Sequence, residues 1–172
     1  MKSVLGFLVG IIILFSIIHW SGIYTNSIEN AITKNGWDKP FLNENLNDDT
    51  TVSFIKEQFK IRVVICSHGS LGWKVKGNSG ALSFSRNIPG LNGKKGSFKL
   101  KNKTINYMVG IITDNKVDHI TFNTKNAPQA NRFNLFTTKD GTRIFYTITN
   151  KDLNGLTYTA YSKENKVLYK GH

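Results

Sequence analysis

Cysteine is nearly absent from this chain of 172 residues, which contains one, Cys66. A single cysteine excludes an intramolecular disulfide, and its distance from the N-terminal apolar segment excludes a lipoprotein anchor. Cys66 ends the apolar run 61–66 (IRVVIC), so the simplest interpretation is a small buried hydrophobe on a strand. Two alternatives stay open. One is intermolecular pairing, and the other is a thiol activated by His68, which would share its strand face.

Motifs of catalysis and metal binding are also missing. The sequence has no close ligand pair such as C-x-x-C or H-x-x-x-H, and no G-x-S-x-G serine motif. The carboxylates Glu44, Asp48 and Asp49 cluster, but without the alternating oxygen ligands and the glycine of a calcium loop. His68 and Ser70 bring a base near a hydroxyl, as many turns do. We therefore expect no metal and no cofactor, and we favour a binding protein over an enzyme.

Acidic residues are scarce, with 11 Asp and Glu against 23 Lys and Arg and a net charge of +12 at pH 7. Such a charge attracts polyanions over long distances, and salt weakens the attraction. In a bacterial envelope those polyanions are anionic lipid headgroups and phosphate-rich wall polymers. Nucleic acid is not expected on that side of a membrane. The alternative is that the charge serves solubility alone.

The chain does contain an apolar segment, residues 4–20 (VLGFLVGIIILFSIIHW), with no ionised side chain. A helix of this length covers most of a bilayer's hydrocarbon core and would contact membrane lipid. Lys2 precedes it and no Lys or Arg follows until Lys34, which predicts a single-pass anchor with a cytoplasmic N-terminus and an extracytoplasmic remainder. The alternatives are a cleaved signal peptide, which gives a secreted protein, and a buried globular helix.

The rest of the chain predicts a mainly β, β-rich α+β fold. Residues 27–35 (SIENAITKN) form the pattern of one short amphipathic helix, capped by Asn26 or Ser27 and ended by Gly36. Residues 43–51 (NENLNDDTT) are polar and predict a linker or exposed loop. The predicted regions are an anchor with its cytoplasmic tip at 1–21, a helix and linker at 22–51, and one β-rich extracytoplasmic domain at 52–172.

Strand patterns follow one another closely after residue 60, with hairpin-type turns between them. This spacing favours an antiparallel sheet folded as a sandwich or open barrel. Turns or loops are predicted at 77–80 and 87–96. The predicted strands are 61–67, 71–76, 81–85, 97–103, 105–113, 117–123, 133–138, 142–149, 156–162 and 166–169.

Five lysines lie within ten residues and are the candidate binding residues: Lys94, Lys95, Lys99, Lys101 and Lys103. If residues 97–103 form one strand, the last three line one face at intervals of about 7 Å, comparable with the phosphate spacing of a polyanion. The alternative is an edge strand that its lysines protect from aggregation.

Four short stretches carry a resemblance: 72–75 (GWKV), 110–114 (GIITD) followed by Val117, 141–145 (GTRIF) and 165–169 (NKVLY). In these turn-and-strand patterns the chain resembles a loose family of small exported or membrane-anchored proteins of Gram-positive spore-forming bacteria. Their shared plan is one N-terminal apolar segment and a β-rich domain. The resemblance implies an extracytoplasmic location and transfers no catalytic residue and no ligand.

Together these patterns predict a membrane-anchored extracytoplasmic binding module whose basic surface contacts an anionic cell-envelope polymer or a partner protein. An accessory subunit of a membrane protein complex is the alternative. An envelope hydrolase built on His68, Ser70 or Cys66 is the least favoured interpretation.

Overall fold

The computed structural model describes residues 2–20, 24–58, 60–85, 90–100, 103–125 and 127–172. These ranges contain two helices and three four-stranded antiparallel sheets, so the chain is mainly β, as predicted. The helices are α1 (Lys2–Trp20) and α2 (Ile28–Thr33). The strands are β1 (Leu42–Asn47), β2 (Thr50–Glu57), β3 (Lys60–Gly69), β4 (Gly72–Ser83), β5 (Leu91–Leu100), β6 (Lys103–Ile112), β7 (His119–Thr124), β8 (Ala127–Arg132), β9 (Asn134–Thr137), β10 (Arg143–Thr149), β11 (Thr157–Tyr161) and β12 (Val167–Gly171).

The chain divides into two compact units, residues 1–57 with 62–80 and residues 58–61 with 81–172. The first unit holds both helices and most of the sheet β1-β2-β3-β4. The second unit holds the sheets β5-β6-β10-β9 and β12-β11-β7-β8.

Helix α1 confirms the predicted helix over the apolar segment, and it exposes large apolar side chains between 45% and 71% of their area. The side chains that the structure describes there run from Val4 to Ile17, apart from residue 5. Within the described part of the chain, no helix has both the length and the apolar character needed to cross a membrane, so the predicted transmembrane span is not supported.

Helix α2 begins and ends where its capping residues predict. The Ser27 hydroxyl oxygen accepts the N–H of Asn30 at 3.1 Å, which satisfies a free donor of the first turn. Gly36, with a φ of +76°, ends the segment in a conformation that favours glycine. Ile32 packs with Ile55, Val64 and Cys66 in the core of the first unit. Cys66 is therefore a buried hydrophobe, as its apolar run predicted.

Strand β1 corrects the predicted linker at 43–51. Its polar side chains remain exposed, but they pair with polar residues opposite them on β2. The Ser53 hydroxyl donates to Asn43 Oδ1 at 2.6 Å, and the Thr51 hydroxyl donates to Asn45 Oδ1 at 2.8 Å. Strand β1 itself contains no β-branched residue, which is why its composition suggested a loop, and cross-strand hydrogen bonds of this kind help to stabilise it.

Strand β4 is continuous through 77–80, where a turn was predicted. The Ser79 hydroxyl accepts the N–H of Val63 at 2.9 Å, and Arg62 Nη1 donates to Asn78 Oδ1 at 3.1 Å. These side chains keep the strand joined to β3 across a sequence that is rich in turn-forming residues.

A core cluster of the second unit draws on both of its sheets. Met108, Ile112 and Phe145 come from the sheet of β6 and β10, and Ile120, Phe122 and Ala160 come from the sheet of β7 and β11. The strands predicted at 105–113, 117–123, 133–138, 142–149, 156–162 and 166–169 correspond to β6, β7, β9, β10, β11 and β12. Strand β8 was not predicted.

Candidate binding surface

The candidate lysines lie on the hairpin of β5 and β6, in the second unit. Lys94, Lys95 and Lys99 are exposed on β5, and Lys103 is exposed at the first position of β6. Lys101 lies outside the described residues. The structure therefore brings four of the five predicted residues onto one supersecondary element.

Strand β5 corrects two predictions about this region. The loop predicted at 87–96 is a strand from Leu91 onward, while residues 86–89 lie outside the described ranges. The strand predicted at 97–103 is divided, because β5 ends at Leu100 and β6 begins at Lys103. Two glycines, Gly93 and Gly110, pair across the two strands and leave room for the ring of Phe145. The glycines that suggested a loop are thus required by packing inside a sheet.

The register of the hairpin places the lysines on both of its faces. Lys99 pairs with Thr104, and Leu100 pairs with Lys103, so Lys99 and Lys103 point to opposite sides. Lys94 and Lys95 are neighbours on β5, so their side chains also point to opposite faces. The single line of lysines at intervals of about 7 Å is therefore wrong for Lys99 and Lys103. The charges surround the hairpin instead of lining one face of it.

The four described lysines form no ion pair with the carboxylates of the described residues. Their ammonium groups are therefore available to an external anion. Strand β5 is also the edge of its sheet, which fits the alternative interpretation that its lysines discourage aggregation. The two roles use the same exposed charge, and only a binding measurement separates them.

The division into units shows where the charge of the chain resides. The second unit carries 16 Lys and Arg against 5 Asp and Glu, a net charge of +11. The first unit carries 7 against 6, a net charge of +1. Nearly all of the excess positive charge thus belongs to the two-sheet unit. This imbalance can be calculated from the sequence only after the structure has defined the boundary between the units.

A cavity of about 400 Å³ lies in the second unit where β6 ends and β10 begins. Arg143 Nη1 and Nη2 donate to the backbone carbonyls of Asp114 and Val117, at 3.3 and 2.5 Å. The Tyr169 hydroxyl donates to Asp114 Oδ2 at 2.7 Å and holds the pKa of that carboxyl below its usual value. These contacts brace the loop between β6 and β7. The lining residues are Ile111, Ile112, Thr113, Asn115, Asp140, Gly141, Thr142 and Arg143.

Of the residues proposed for a hydrolase, Cys66 is not an activated nucleophile. Burial raises the pKa of the Cys66 thiol to about 11, so the thiolate is scarce at neutral pH. The His68 ring packs against Trp73 with its centroid 5.0 Å away. Among the described side chains, no three of His, Cys, Asp and Glu come together as metal ligands.

Comparisons with protein-family models, with curated proteins and with solved structures find no match to this chain.

Proposed function

We propose that this chain is a membrane-anchored extracytoplasmic module that binds an anionic cell-envelope polymer through the basic surface of its second unit. The observation that carries the proposal is the segregation of charge, with +11 in the second unit and +1 in the first. A unit with this charge attracts phosphate-rich polymers over about a Debye length, roughly 8–10 Å at physiological ionic strength. The lysines of the β5–β6 hairpin are the densest group of positive charges in the sequence of this unit, and the four that the structure describes form no ion pair with a described carboxylate.

The exposed apolar surface of α1 supports the membrane anchor. Ten large apolar side chains are about half exposed, and burying one such side chain fully gives roughly 1.5–3 kcal/mol. Transfer of this surface from water into lipid is therefore favourable by an amount on the order of 10 kcal/mol. The described members are Val4, Phe7, Leu8, Val9, Ile11, Ile12, Ile13, Leu14, Phe15 and Ile17.

The placement of charge around α1 supports the extracytoplasmic side for the β-rich part. Lys2 precedes the apolar stretch, and the next basic residue is Lys34. Positive charge next to an apolar helix stays in the cytoplasm during insertion, which leaves the other end to be exported. A secreted form, produced by cleavage after the helix, would keep the same binding unit.

We also propose that the second unit is a β-sandwich and not a barrel. Its eight strands form two separate sheets, each with two edge strands, and a single apolar cluster includes residues of both. The open barrel, which was the alternative, would instead join these strands in one continuous sheet.

The test measures retention of the full chain on purified cell-wall material at several salt concentrations. The test variant replaces Lys94, Lys95, Lys99, Lys101 and Lys103 with Gln. The matched control replaces five other exposed lysines of the same unit, so that the net charge falls equally: Lys125, Lys139, Lys151, Lys163 and Lys166.

A lysine about 7 Å from a phosphate contributes roughly 0.6 kcal/mol in water. The hairpin variant should therefore bind up to about 100-fold more weakly at low salt, and the control should lose much less. Equal losses in both variants would show that net charge acts without a defined surface. Full retention of the hairpin variant, together with increased light scattering, would support edge protection instead. Failure of the wild-type chain to bind would refute the proposed function.

A further inference from the structure

The start of β4 is fastened to the chain just beyond α1. The N–H of Thr25 donates to the carbonyl of Trp73 at 2.9 Å, and the N–H of Trp73 donates to the carbonyl of Thr25 at 2.7 Å. Gly72 has a φ of +114°, and a Cβ at this position would lie 2.5 Å from the Thr25 carbonyl oxygen. A glycine is therefore required for this close approach. The contact fixes the start of β4 beside Thr25.

The outer face of β4 carries a basic and aromatic cluster at this point. Lys74 Nζ donates to the Tyr24 hydroxyl at 2.9 Å and lies 4.7 Å from the centre of its ring. The hydrogen bond that Lys74 donates to Tyr24 raises the pKa of Lys74, so its ammonium group persists above neutral pH. Lys76 is two residues further along the same face and is exposed. The side chains of Trp73 and Val75 point to the opposite face of β4 and pack against the core of the first unit.

The carboxylates of α2 and β2 form ion pairs with basic residues other than Lys74. Glu29 pairs with Lys39 at 3.4 Å, and Glu57 pairs with Arg62 at 2.7 Å. Lys74 appears in no ion pair among the described residues. Although the first unit is nearly neutral as a whole, two of its basic residues, Lys74 and Lys76, lie close to Tyr24.

The length of the chain limits how far this cluster can lie from the helix. Tyr24 is four residues beyond Trp20, the last residue of α1, so their Cα atoms are at most about 14 Å apart. The headgroup layer on each side of a bilayer is about 5–8 Å thick. The potential of an anionic surface extends about one Debye length further, roughly 8–10 Å. An apolar helix inserted in lipid therefore holds Tyr24 and its partners within reach of the headgroups.

We propose that Tyr24, Lys74 and Lys76 form a docking surface for anionic lipid headgroups, with the lysines on the phosphates and the Tyr24 ring at the interface. This inference rests on the membrane anchor of the proposed function. It adds a specific contact that orients the first unit against the bilayer. Lipid is favoured over a soluble polyanion because α1 restricts the cluster to the neighbourhood of the membrane surface. Tyrosine and lysine are both typical of that layer.

The test labels the lysines of the full chain with an amine-reactive reagent and measures each site by mass spectrometry. One sample is in vesicles of phosphatidylcholine, and the other contains about 30% phosphatidylglycerol. We expect Lys74 and Lys76 to react about fivefold more slowly in the anionic vesicles, which corresponds to about 1 kcal/mol per lysine at such a surface. Lys34 and Lys39, exposed in the same unit, are the matched controls and should react equally in both samples.

Flotation of the same vesicles separates the two proposals. A chain that floats with both vesicle types but labels equally in them overturns the headgroup contact and leaves the anchor standing. A chain that does not float with either type refutes the anchor and the contact together. Protection by inorganic phosphate added to phosphatidylcholine vesicles would show a phosphate site that does not require lipid, and would also overturn the inference. The variant Lys74→Gln/Lys76→Gln should transfer from anionic to neutral vesicles faster than Lys34→Gln/Lys39→Gln.

Discussion

Two alanine substitutions at facing glycines test the packing of the second unit. Gly93 and Gly110 are paired on β5 and β6 beneath Phe145, whose side chain is fully buried. A Cβ at Gly110 would overlap the carbonyl oxygen of Asn92 and lie 2.5 Å from the Phe145 ring. A Cβ at Gly93 would instead lie 2.7 Å from Met108 Cε and 2.8 Å from Phe145 Cζ. An added methyl group would thus clash with a backbone oxygen at Gly110, whereas at Gly93 it would contact only the ends of side chains.

This difference gives the two variants different costs. Overpacking a core destabilises a protein by about 1–3 kcal/mol. The destabilisation by Gly93→Ala should fall at the lower end of this range, since Met108 can move its terminal methyl group. Gly110→Ala should cost about 3 kcal/mol, because β5 itself must shift to release the Asn92 oxygen. The control is Gly69→Ala in the first unit, followed by tryptophan emission. Nothing lies within 4 Å of the added methyl group there, and the change should stay within about 0.5 kcal/mol.

Urea unfolding can be followed in each unit separately, because the two units carry different fluorophores. Trp37 and Trp73 belong to the first unit, whereas five of the six tyrosines belong to the second. Tyrosine emission therefore reports mainly the unit that contains Gly93 and Gly110. Adding Phe145→Leu should recover part of the loss in Gly93→Ala and little of the loss in Gly110→Ala. Equal losses at the two glycines, or full rescue of Gly110→Ala by Phe145→Leu, would refute this account of the packing.

Two further predictions concern titratable groups. Tyr169→Phe removes the hydroxyl whose hydrogen bond lowers the pKa of Asp114. A lowered carboxyl pKa stabilises the fold above the unfolded pKa of about 4, and this contribution is lost as the pH falls through the folded value. At pH 7 the variant should therefore unfold at a lower urea concentration than wild type. The difference between the two urea midpoints should become smaller in acid. A difference at pH 3 equal to that at pH 7 would contradict the assignment. Cys66, with a pKa raised to about 11 by burial, should react with iodoacetamide far more slowly in the native chain than in urea, and equal rates would show that the first unit opens readily.

The sequence was sufficient where a local pattern carries its own structural signal. The apolar run of α1, the Ser27 cap and the Gly36 end of α2 correspond to the observed helices. Alternation of apolar and polar residues located most strands of the second unit, because the side-chain period of a strand is two. The basic character and the five lysines were visible in the composition.

The tertiary structure decided the features that depend on a distant partner. The polar strand β1 exists because Asn43 and Asn45 meet hydroxyl groups on β2, and the glycine-rich start of β5 is a strand because Phe145 covers its glycines. The register of β5 and β6 decided that Lys99 and Lys103 lie on opposite faces. The boundary between the units decided that the charge belongs to the second one. A local pattern records which residues avoid water, whereas register and packing depend on partners that are far away in sequence and become neighbours only on folding.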